Sequence, residues 1–403
     1  MGDFQQPGHV ATLHNFGTWS PSDLERHVEA FSATRKINLI LPSLFSELEA
    51  PALDNIVNTL SEIRYLNHIV IGLDRANAEQ FAFAKEYFSR LPQKHSILWN
   101  DGPRLTEIHN RLTEKELAPQ ELGKGRNVWY CMGYNLACRD SEIVALHDCD
   151  IVTYSKEMLT RLVYPLANPS FPYYFAKGYY PRVAEGKLNG RVTRLLVTPL
   201  LMAIEKTCGR SDYVDYLQAF RYPLAGEFAM RTSVLSSIRI PSDWGLEIGV
   251  LSEVSRNLSR HAICQVDIAD TYDHKHQPLS QEDASRGLSR MSMDISKSLF
   301  RKLATEGMEF TGGTFRTIKA VYYRIALDMI EMYYNDAMMN GLRLDRHTEE
   351  QAVELFAANI MEAGKTFIDN PMETPFIPNW SRVRSAEPDI MRALRSAVEE
   401  DNA

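Results

Sequence analysis

Residues 142–150 read Glu-Ile-Val-Ala-Leu-His-Asp-Cys-Asp. The apolar run up to Leu146 predicts a buried strand, and Asp148 and Asp150 follow directly at its carboxyl end. Two carboxylates one residue apart can share a hard divalent cation, Mg²⁺ or Mn²⁺, and leave places for phosphate oxygens. The segment therefore predicts a metal site at the edge of a sheet; a turn with two solvated aspartates is the alternative that these residues leave open.

The residues before this segment alternate between short apolar runs and stretches with helical periodicity. Strands are predicted at 37–41, 68–73, 96–99 and 142–146, and helices at 20–33, 47–64, 76–90 and 126–138. Such alternation indicates βαβ units and a parallel sheet, which binds ligands at the carboxyl ends of its strands. The sequence thus predicts an α/β fold.

The remaining chain comprises an N-terminal arm, a middle section with mixed signals and a C-terminal part with helical periodicity. Residues 1–18 are expected to form a loose arm, and the middle section has predicted strands at 171–180 and 262–268 and a helix at 191–207. After about residue 280, helices are predicted at 289–306, 314–339 and 348–363. The second of these carries an apolar stripe that predicts core packing or a subunit interface: Val321, Tyr322, Ile325, Met329 and Tyr333.

Composition excludes several classes of protein. The 403 residues carry a net charge of −8, which argues against a nucleic-acid-binding protein. Five cysteines without a CxxC pair argue against a disulfide framework or a structural zinc site. Neither a signal peptide nor a membrane-spanning run is visible, so we expect a soluble cytoplasmic protein without membrane partners.

Gly123-Lys124-Gly125 precedes a predicted helix. Glycines allow the backbone to approach a ligand closely, and Lys124 could reach a phosphate; a flexible turn with a solvated lysine is the alternative. The full P-loop spacing and the GxGxxG fingerprint are absent from the sequence, which argues against an ATPase or a dehydrogenase.

Further polar clusters follow the paired aspartates. Gly190, Arg191 and Thr193 stand at a predicted helix start and predict an anion pocket, with a basic surface loop as the alternative. Glu227 and Glu247 each lie beside a glycine and an aromatic residue and could hold sugar hydroxyls or cap a helix. After the strand at 262–268 come two histidines, of which one could complete the metal site: His274 and His276.

Taken in order, these motifs resemble the glucosyl-3-phosphoglycerate synthases, which are retaining GT-A glycosyltransferases of family 81. The resemblance covers about residues 36–280 and rests on Leu41-Pro42, Gly123-Lys124-Gly125, Asp148-Cys149-Asp150, Lys177-Gly178-Tyr179-Tyr180, Gly190-Arg191-Val192-Thr193, Pro223-Leu224-Ala225-Gly226-Glu227, Trp244-Gly245-Leu246-Glu247 and Asp273-His274-Lys275-His276. Mannosylglycerate synthases are more distantly similar. The resemblance implies a Rossmann-like nucleotide-sugar-binding fold with a mixed central sheet and a C-terminal helical extension.

The resemblance also implies roles for individual residues. The donor would be bound by Pro42, Glu47, Asp74, Lys124 and Asp148. The metal, Mg²⁺ or Mn²⁺, would be bound by Asp150 and His274. The acceptor would be bound by Gly190, Arg191, Thr193 and His276, where His276 replaces an asparagine of the relatives. Glu247 and Asp148 would act at the reacting centre, with Glu247 orienting the acceptor rather than attacking the sugar.

The implied organisation has three parts: an N-terminal arm and helix at 1–34, a catalytic domain at 35–285 and a C-terminal helical region at 286–403. Within the catalytic domain, the donor half is expected at about 35–150 and the acceptor half at 151–285. The implied reaction moves glucose from UDP-, GDP- or ADP-glucose to 3-phosphoglycerate in a homodimeric enzyme that makes a compatible-solute precursor. Transfer of mannose or glucose to glycerate, a metal-dependent nucleotidyltransferase or phosphohydrolase, and a sugar-nucleotide sensor are the alternatives.

Overall fold

The computed structural model describes residues 6–274, 287–372 and 376–403. The strands, in chain order, are β1 (Ala11–Leu13), β2 (Ile37–Leu44), β3 (Leu66–Asp74), β4 (His95–Trp99), β5 (Ile143–Leu146), β6 (Phe175–Tyr179), β7 (Val183–Ala184), β8 (Lys187–Leu188), β9 (Phe228–Arg231) and β10 (Ile263–Asp267). The helices, in chain order, are α1 (Pro21–Ser32), α2 (Pro51–Ser61), α3 (Ala78–Phe88), α4 (Pro103–Thr113), α5 (Lys124–Cys138), α6 (Lys156–Ala167), α7 (Thr198–Cys208), α8 (Asp212–Gln218), α9 (Thr232–Leu235), α10 (Leu246–Asn257), α11 (Gly287–Thr305), α12 (Gly312–Met339), α13 (Arg346–Asp369), α14 (Trp380–Ala386) and α15 (Ile390–Asn402).

Eight strands form one sheet in the order β1-β10-β6-β9-β5-β2-β3-β4. Strand β9 runs antiparallel to β5 and β6, and the other neighbouring pairs are parallel. Strands β7 and β8 pair as a small separate hairpin. The sheet is therefore mixed, as the resemblance implied, and its parallel strands present their carboxyl ends along one edge.

Strand β2 shows how the sequence shapes this edge. It pairs with β5 only from Ile37 to Ile40, whereas its pairing with β3 continues to Leu44. The carbonyl of Ile40 faces β5 and accepts a hydrogen bond from His147, so Pro42, two residues further on, faces the same side beyond the end of β5. Because no ladder partner exists there, the missing N–H of Pro42 is tolerated and the strand runs three residues past the predicted end.

Side chains on the two faces of the sheet belong to two separate cores. On β2, Leu39 and Leu41 pack into one core and Ile40 into the other, as expected for alternating residues of a strand buried on both faces. Helices α1, α2, α3 and α6 contribute to the first core. Helices α5 and α7 share the second core with α11 to α15. The C-terminal helices thus pack on the same core as the sheet, and the apolar stripe of α12 is core, as its periodicity predicted.

The N-terminal segment differs from the predicted loose arm. Ala11–Leu13 form β1 beside β10 because Thr12 is buried and its hydroxyl accepts a hydrogen bond from Gln265. On the outer side of β1, the Gln6 side-chain amide bonds both the N–H and the C=O of Thr12. At the other edge of the sheet, the Asn402 amide bonds the N–H and the C=O of Ile97 on β4 in the same way.

Two predicted helices also differ in detail. The helix predicted at 47–64 begins only at Pro51, as α2, and Glu47 instead ends a short 3₁₀ turn, Phe45–Glu47. The helix predicted at 191–207 opens with a wide π-type turn, Thr193–Val197. Pro199 cannot donate to the Leu195 carbonyl, and the Tyr322 hydroxyl of α12 donates to it instead at 2.6 Å. Among the described residues, no helix is both long and apolar enough to cross a membrane.

Candidate active site

Three charged side chains meet at the carboxyl edge of the sheet. Asp148 follows β5, Lys124 begins α5 and Glu247 lies in the first turn of α10. The Lys124 ammonium contacts Asp148 Oδ1 at 2.6 Å and Glu247 Oε1 at 3.0 Å. The three segments are therefore linked by one cation between two carboxylates.

The charges in this group shift the pKa values of Lys124 and Asp148. Burial would lower the pKa of Lys124, but the charges of Asp148 and Glu247 outweigh that effect and raise the pKa. Burial would raise the pKa of Asp148, but the Lys124 charge and hydrogen bond hold it below its ordinary value. Lys124 is thus protonated and Asp148 ionised at neutral pH, as binding of a diphosphate and a metal requires.

Glycines allow the backbone to approach this group closely. A Cβ atom on Gly226 would lie 2.3 Å from Asp148 Oδ2, so only glycine leaves room for the carboxylate. A Cβ atom on Gly125 would lie 2.1 Å from the Pro241 carbonyl oxygen, so this glycine lets the start of α5 pack against the loop before α10. The glycines of two sequence motifs are therefore explained by close packing around Asp148 and Lys124.

Asp150 and His274 come together although 124 positions separate them. Ile151 and His274 form an isolated antiparallel bridge, which places the histidine beside the aspartate pair. Burial, followed by the charge of Asp148, raises the pKa of Asp150 to about 7. A carboxylate crowded by negative charge, with a histidine on the neighbouring segment, offers ligand types that fit a divalent cation. Two protein ligands suit Mg²⁺ or Mn²⁺, which keep places for phosphate and water oxygens.

A buried polar layer lies below the paired aspartates. Glu227 is fully buried and accepts hydrogen bonds from the hydroxyls of Tyr180, at 2.6 Å, and Tyr272, at 2.8 Å. Burial and the Asp148 charge raise the pKa of Glu227. The two tyrosine rings stack with centroids 3.7 Å apart. Because Tyr272 is two residues before His274, this layer anchors the segment that carries the histidine.

A cavity of about 470 Å³ extends from Lys124 and Asp148 along a basic wall. The wall contains Arg182, Gly190, Arg191 and Arg194. Gly190 has φ +75, a conformation that favours glycine, and it leads the chain into the helical turn that begins at Arg191. Buried nitrogens on Arg182 and Arg194 have no hydrogen-bond partner among the described residues. Unsatisfied cationic donors in a cavity predict an anionic ligand.

The residues expected to bind the donor base lie at neighbouring strand ends. Pro42 lies near the end of β2, and Asp74 is the last residue of the neighbouring strand β3. Glu47 is buried in the 3₁₀ turn that follows β2. Asn100 donates to Asp74 Oδ1 at 2.7 Å, and burial raises the pKa of Asp74. None of the three lines the cavity along the basic wall.

A second group of ligand-type side chains lies elsewhere in the described part of the chain. Ligand atoms of His68, Cys138 and Asp140 lie within 4.8 Å of one another. Asp140 already accepts hydrogen bonds from Lys94 and Asn38, each at 2.8 Å, and His68 bonds it at 3.2 Å. This group is therefore a satisfied structural network rather than a competing metal centre.

Known proteins match the chain over its full length. It is 45% identical over 403 residues to the glucosyl-3-phosphoglycerate synthase of Persephonella marina, covering 100% of both chains. It is 38% identical over 400 residues to the protein of that name from Methanococcoides burtonii, covering 98% of this chain and 97% of the relative. None of the protein-family models compared with the chain matches it.

The chain belongs to the glucosyl-3-phosphoglycerate synthase family. Solved structures of the Mycobacterium tuberculosis glucosyl-3-phosphoglycerate synthase share its fold. The complex with Mn²⁺, UDP and glucosyl-3-phosphoglycerate has a TM-score of 0.54 at 23% identity, covering 75% of this chain and 90% of the other. The complex with Mg²⁺ and UDP has a TM-score of 0.53, covering 75% and 89%. The predicted α/β fold with a mixed sheet and C-terminal helices is confirmed.

Six of the twelve residues expected for a glucosyl-3-phosphoglycerate synthase site line the cavity along the basic wall, and Asp150 is not among them. The cavity is lined by Lys124, Asp148, Gly190, Arg191, Glu247 and His274. Thr193 does not line it, and its hydroxyl is buried without a partner among the described residues. Arg194, one residue later, lines the cavity instead because Thr193 turns inward in the π-type turn. His276 lies outside the described residues. The roles of all these residues stay predictions.

Sequence reasoning missed Tyr272 and Glu349, which contact arginines of the basic wall. Arg182 and Tyr272 lie against each other, with the guanidinium 5.3 Å from the ring centroid. Glu349, on α13, ion-pairs with Arg191 and Arg194. Glycine and aromatic neighbours did mark Glu227, but no local signal distinguishes Glu349 from the other acidic residues of the C-terminal helices.

Proposed function

We propose that this chain transfers glucose from a nucleotide diphosphate-glucose to the 2-hydroxyl of 3-phosphoglycerate, with retained anomeric configuration. Membership of the glucosyl-3-phosphoglycerate synthase family supports the reaction. The observation that carries the proposal is the cavity in which Lys124, held by Asp148 and Glu247, faces a wall of arginines. A cationic group for a diphosphate and a separate one for an acidic acceptor are the two requirements of this transfer.

UDP-glucose is the proposed donor. It is supported by the M. tuberculosis structures with UDP-glucose and Mn²⁺, which share the fold of this chain. The base and ribose would lie at the ends of β2 and β3, near Pro42, Glu47 and Asp74. The donor half is proposed at about residues 35–150, the acceptor half at 151–285 and the helical region at 286–403.

Asp150 and His274 would hold the metal beside Asp148. When bound, Mg²⁺ or Mn²⁺ neutralises charge that develops on the diphosphate. Lys124 supplies a fixed positive charge to the same oxygens, and it is already oriented by two carboxylates. Lys124 therefore needs no reorganisation as the leaving group departs.

The acceptor would lie along the basic wall. Arg191 and Arg194, with the backbone at Gly190, would hold its phosphate and carboxylate. The bond from the sugar C1 to the diphosphate oxygen breaks and a bond from C1 to the acceptor 2-oxygen forms on the same face. The hydroxyl proton passes to the departing diphosphate, so no protein nucleophile is required. Glu247, between Lys124 and the cavity, orients the acceptor hydroxyl.

The proposal is tested by incubating the purified protein and Mg²⁺ with UDP-, GDP- and ADP-glucose, each paired with 3-phosphoglycerate and with glycerate. We expect an α-linked glucosyl-3-phosphoglycerate from UDP-glucose, identified by mass and by the anomeric proton coupling. Lys124→Met should lower kcat at least about a hundredfold, because a preorganised charge is lost. Lys206→Met, which changes an exposed lysine on α7, is the matched control and should retain wild-type kcat.

Three results would contradict the proposal. Hydrolysis of UDP-glucose to UMP and glucose 1-phosphate without a glycoside would indicate a phosphohydrolase, and transfer of UMP to the acceptor with release of glucose 1-phosphate would indicate a nucleotidyltransferase. Efficient transfer to glycerate but not to 3-phosphoglycerate would place the chain with the mannosylglycerate synthase-like alternative.

A further inference from the structure

A buried acid from the C-terminal helices reaches the basic wall. Glu349, on α13, is 3% exposed, and each of its carboxylate oxygens bonds a different arginine. Oε1 accepts from Arg191 Nε at 2.8 Å, and Oε2 accepts from Arg194 Nη2 at 2.9 Å. Both arginines line the cavity. One carboxylate therefore fixes the two guanidinium groups relative to each other.

The geometry leaves donors available for a ligand. Arg191 uses Nε for Glu349, so this contact does not occupy its two terminal nitrogens. Arg194 Nη1 is buried and has no partner among the described residues. Arg194 Nε donates to the Asn189 carbonyl at 2.8 Å, which prevents rotation of the group. Arg191 thus presents oriented terminal N–H groups to an anion with several oxygens, and the buried Arg194 adds a fixed positive charge beside them.

The C-terminal helices support the same wall at other points. The Arg194 guanidinium lies 4.9 Å from the ring centroid of Tyr333 on α12. The Arg343 N–H, between α12 and α13, donates to the Gly186 carbonyl in the β7–β8 hairpin at 2.8 Å. Together with the hydrogen bond from Tyr322 to Leu195, these contacts show that α12 and α13 pack behind the basic wall and support it.

We propose that Glu349 is a positioning residue that makes the site selective for a phosphorylated acceptor. Two guanidinium groups at close range repel each other, and the shared carboxylate offsets that repulsion while fixing their planes. A phosphate dianion brings two negative charges and three terminal oxygens to this pair, whereas the carboxylate of glycerate brings one charge and two oxygens. The inference deepens the proposed function, on which it rests for the identity of the acceptor.

The test compares Glu349→Gln with Glu349→Asp and with Glu350→Gln, a matched control at the exposed neighbouring position on α13. Equilibrium binding of 3-phosphoglycerate and of glycerate is measured by calorimetry without donor sugar, and the KM of donor and acceptor are then measured separately. We expect Glu349→Gln to weaken 3-phosphoglycerate binding at least about tenfold, as for other broken buried charge pairs, with glycerate binding and donor KM within about twofold of wild type.

Glu349→Asp keeps the charge but shortens the side chain, so it should restore part of the lost affinity. It also supplies the test if Glu349→Gln does not fold, with an expected loss of a few-fold for 3-phosphoglycerate alone. Glu350→Gln should bind as wild type. Unchanged 3-phosphoglycerate binding in a folded Glu349 variant, or equal losses for donor and both acceptors, would overturn the inference.

The binding and turnover measurements separate this inference from the proposed function. If the wild type binds 3-phosphoglycerate and Glu349→Gln does not, but no glycoside forms with any donor, the proposed function fails and the inference stands. If the wild type does not bind 3-phosphoglycerate, both are overturned.

Discussion

Gly226→Ala is expected to inactivate the enzyme by moving one carboxylate. The new Cβ would lie 2.3 Å from Asp148 Oδ2 and 2.8 Å from Asp148 Cγ, whereas ordinary contacts begin at 3.4 Å. The Asp148 carboxylate must therefore shift by about 1 Å, which perturbs its 2.6 Å contact with Lys124. A misplacement of about 1 Å at a reacting centre can lower the rate about a hundredfold, or roughly 2.7 kcal/mol in activation free energy.

The assay is kcat for glucosyl transfer at saturating donor, acceptor and Mg²⁺, with the melting temperature measured on the same samples. Gly312→Ala is the matched control, because a Cβ there meets nothing closer than 3.9 Å. It should retain wild-type kcat and a similar or slightly higher melting temperature. Wild-type kcat in Gly226→Ala would refute the claim that Asp148 has to stay against the backbone of Gly226, and with it the proposed donor geometry.

Three further predictions concern the metal, the acceptor and the stability of the sheet. Burial and the neighbouring carboxylate raise the pKa of Asp150 to about 7, and a bound metal has to displace that proton. The affinity for Mg²⁺, measured by calorimetry, should therefore fall about tenfold per pH unit below pH 7 and level off above it. Asp150→Ala should abolish metal-dependent turnover. Arg191→Ala should raise the acceptor KM at least about tenfold and leave the donor KM within about twofold, and an unchanged acceptor KM would exclude Arg191 from the acceptor site. Burial opposes ionisation of Asp140, but hydrogen bonds from His68 and Lys94 hold its pKa below the ordinary value. Asp140→Asn should therefore lower the free energy of unfolding by about 2 kcal/mol in urea at pH 7, and this difference from wild type should shrink only below about pH 4, where acid protonates the wild-type carboxylate.

The catalytic edge of the sheet could be predicted because its signals are local. Apolar runs that end in charged residues marked the strand ends at Asp74 and Asp148, and a glycine pair marked the start of the helix at Lys124. Ligand binding at the carboxyl edge then follows from the parallel sheet itself. One of the two histidines after the strand at 262–268 was predicted to complete the metal site, but the choice of His274 over His276 came only from the family resemblance, since the contact joins residues that are far apart in sequence.

The supporting layer could not be predicted for the same reason. The pairing of Glu349 with Arg191 and Arg194 spans about 155 positions and depends on how α13 crosses the end of the π-type turn. Strand β1 was missed because three residues are too short for a recognisable period, and its pairing with β10 is long-range. Thr193 does not line the cavity, because the wide turn changes which side chains face it, and its acceptor contact stays a prediction.

The amides of Gln6 and Asn402 have a consequence for how copies of this chain can associate. An open sheet normally leaves a row of backbone donors and acceptors at each outer strand, and these recruit strands from other molecules. Here a side-chain amide occupies an outward-facing N–H and C=O on each outer strand. Continuation of the sheet across two molecules is thereby blocked at both ends. Association of copies of this chain by strand addition is therefore disfavoured, and loss of either amide should favour aggregation.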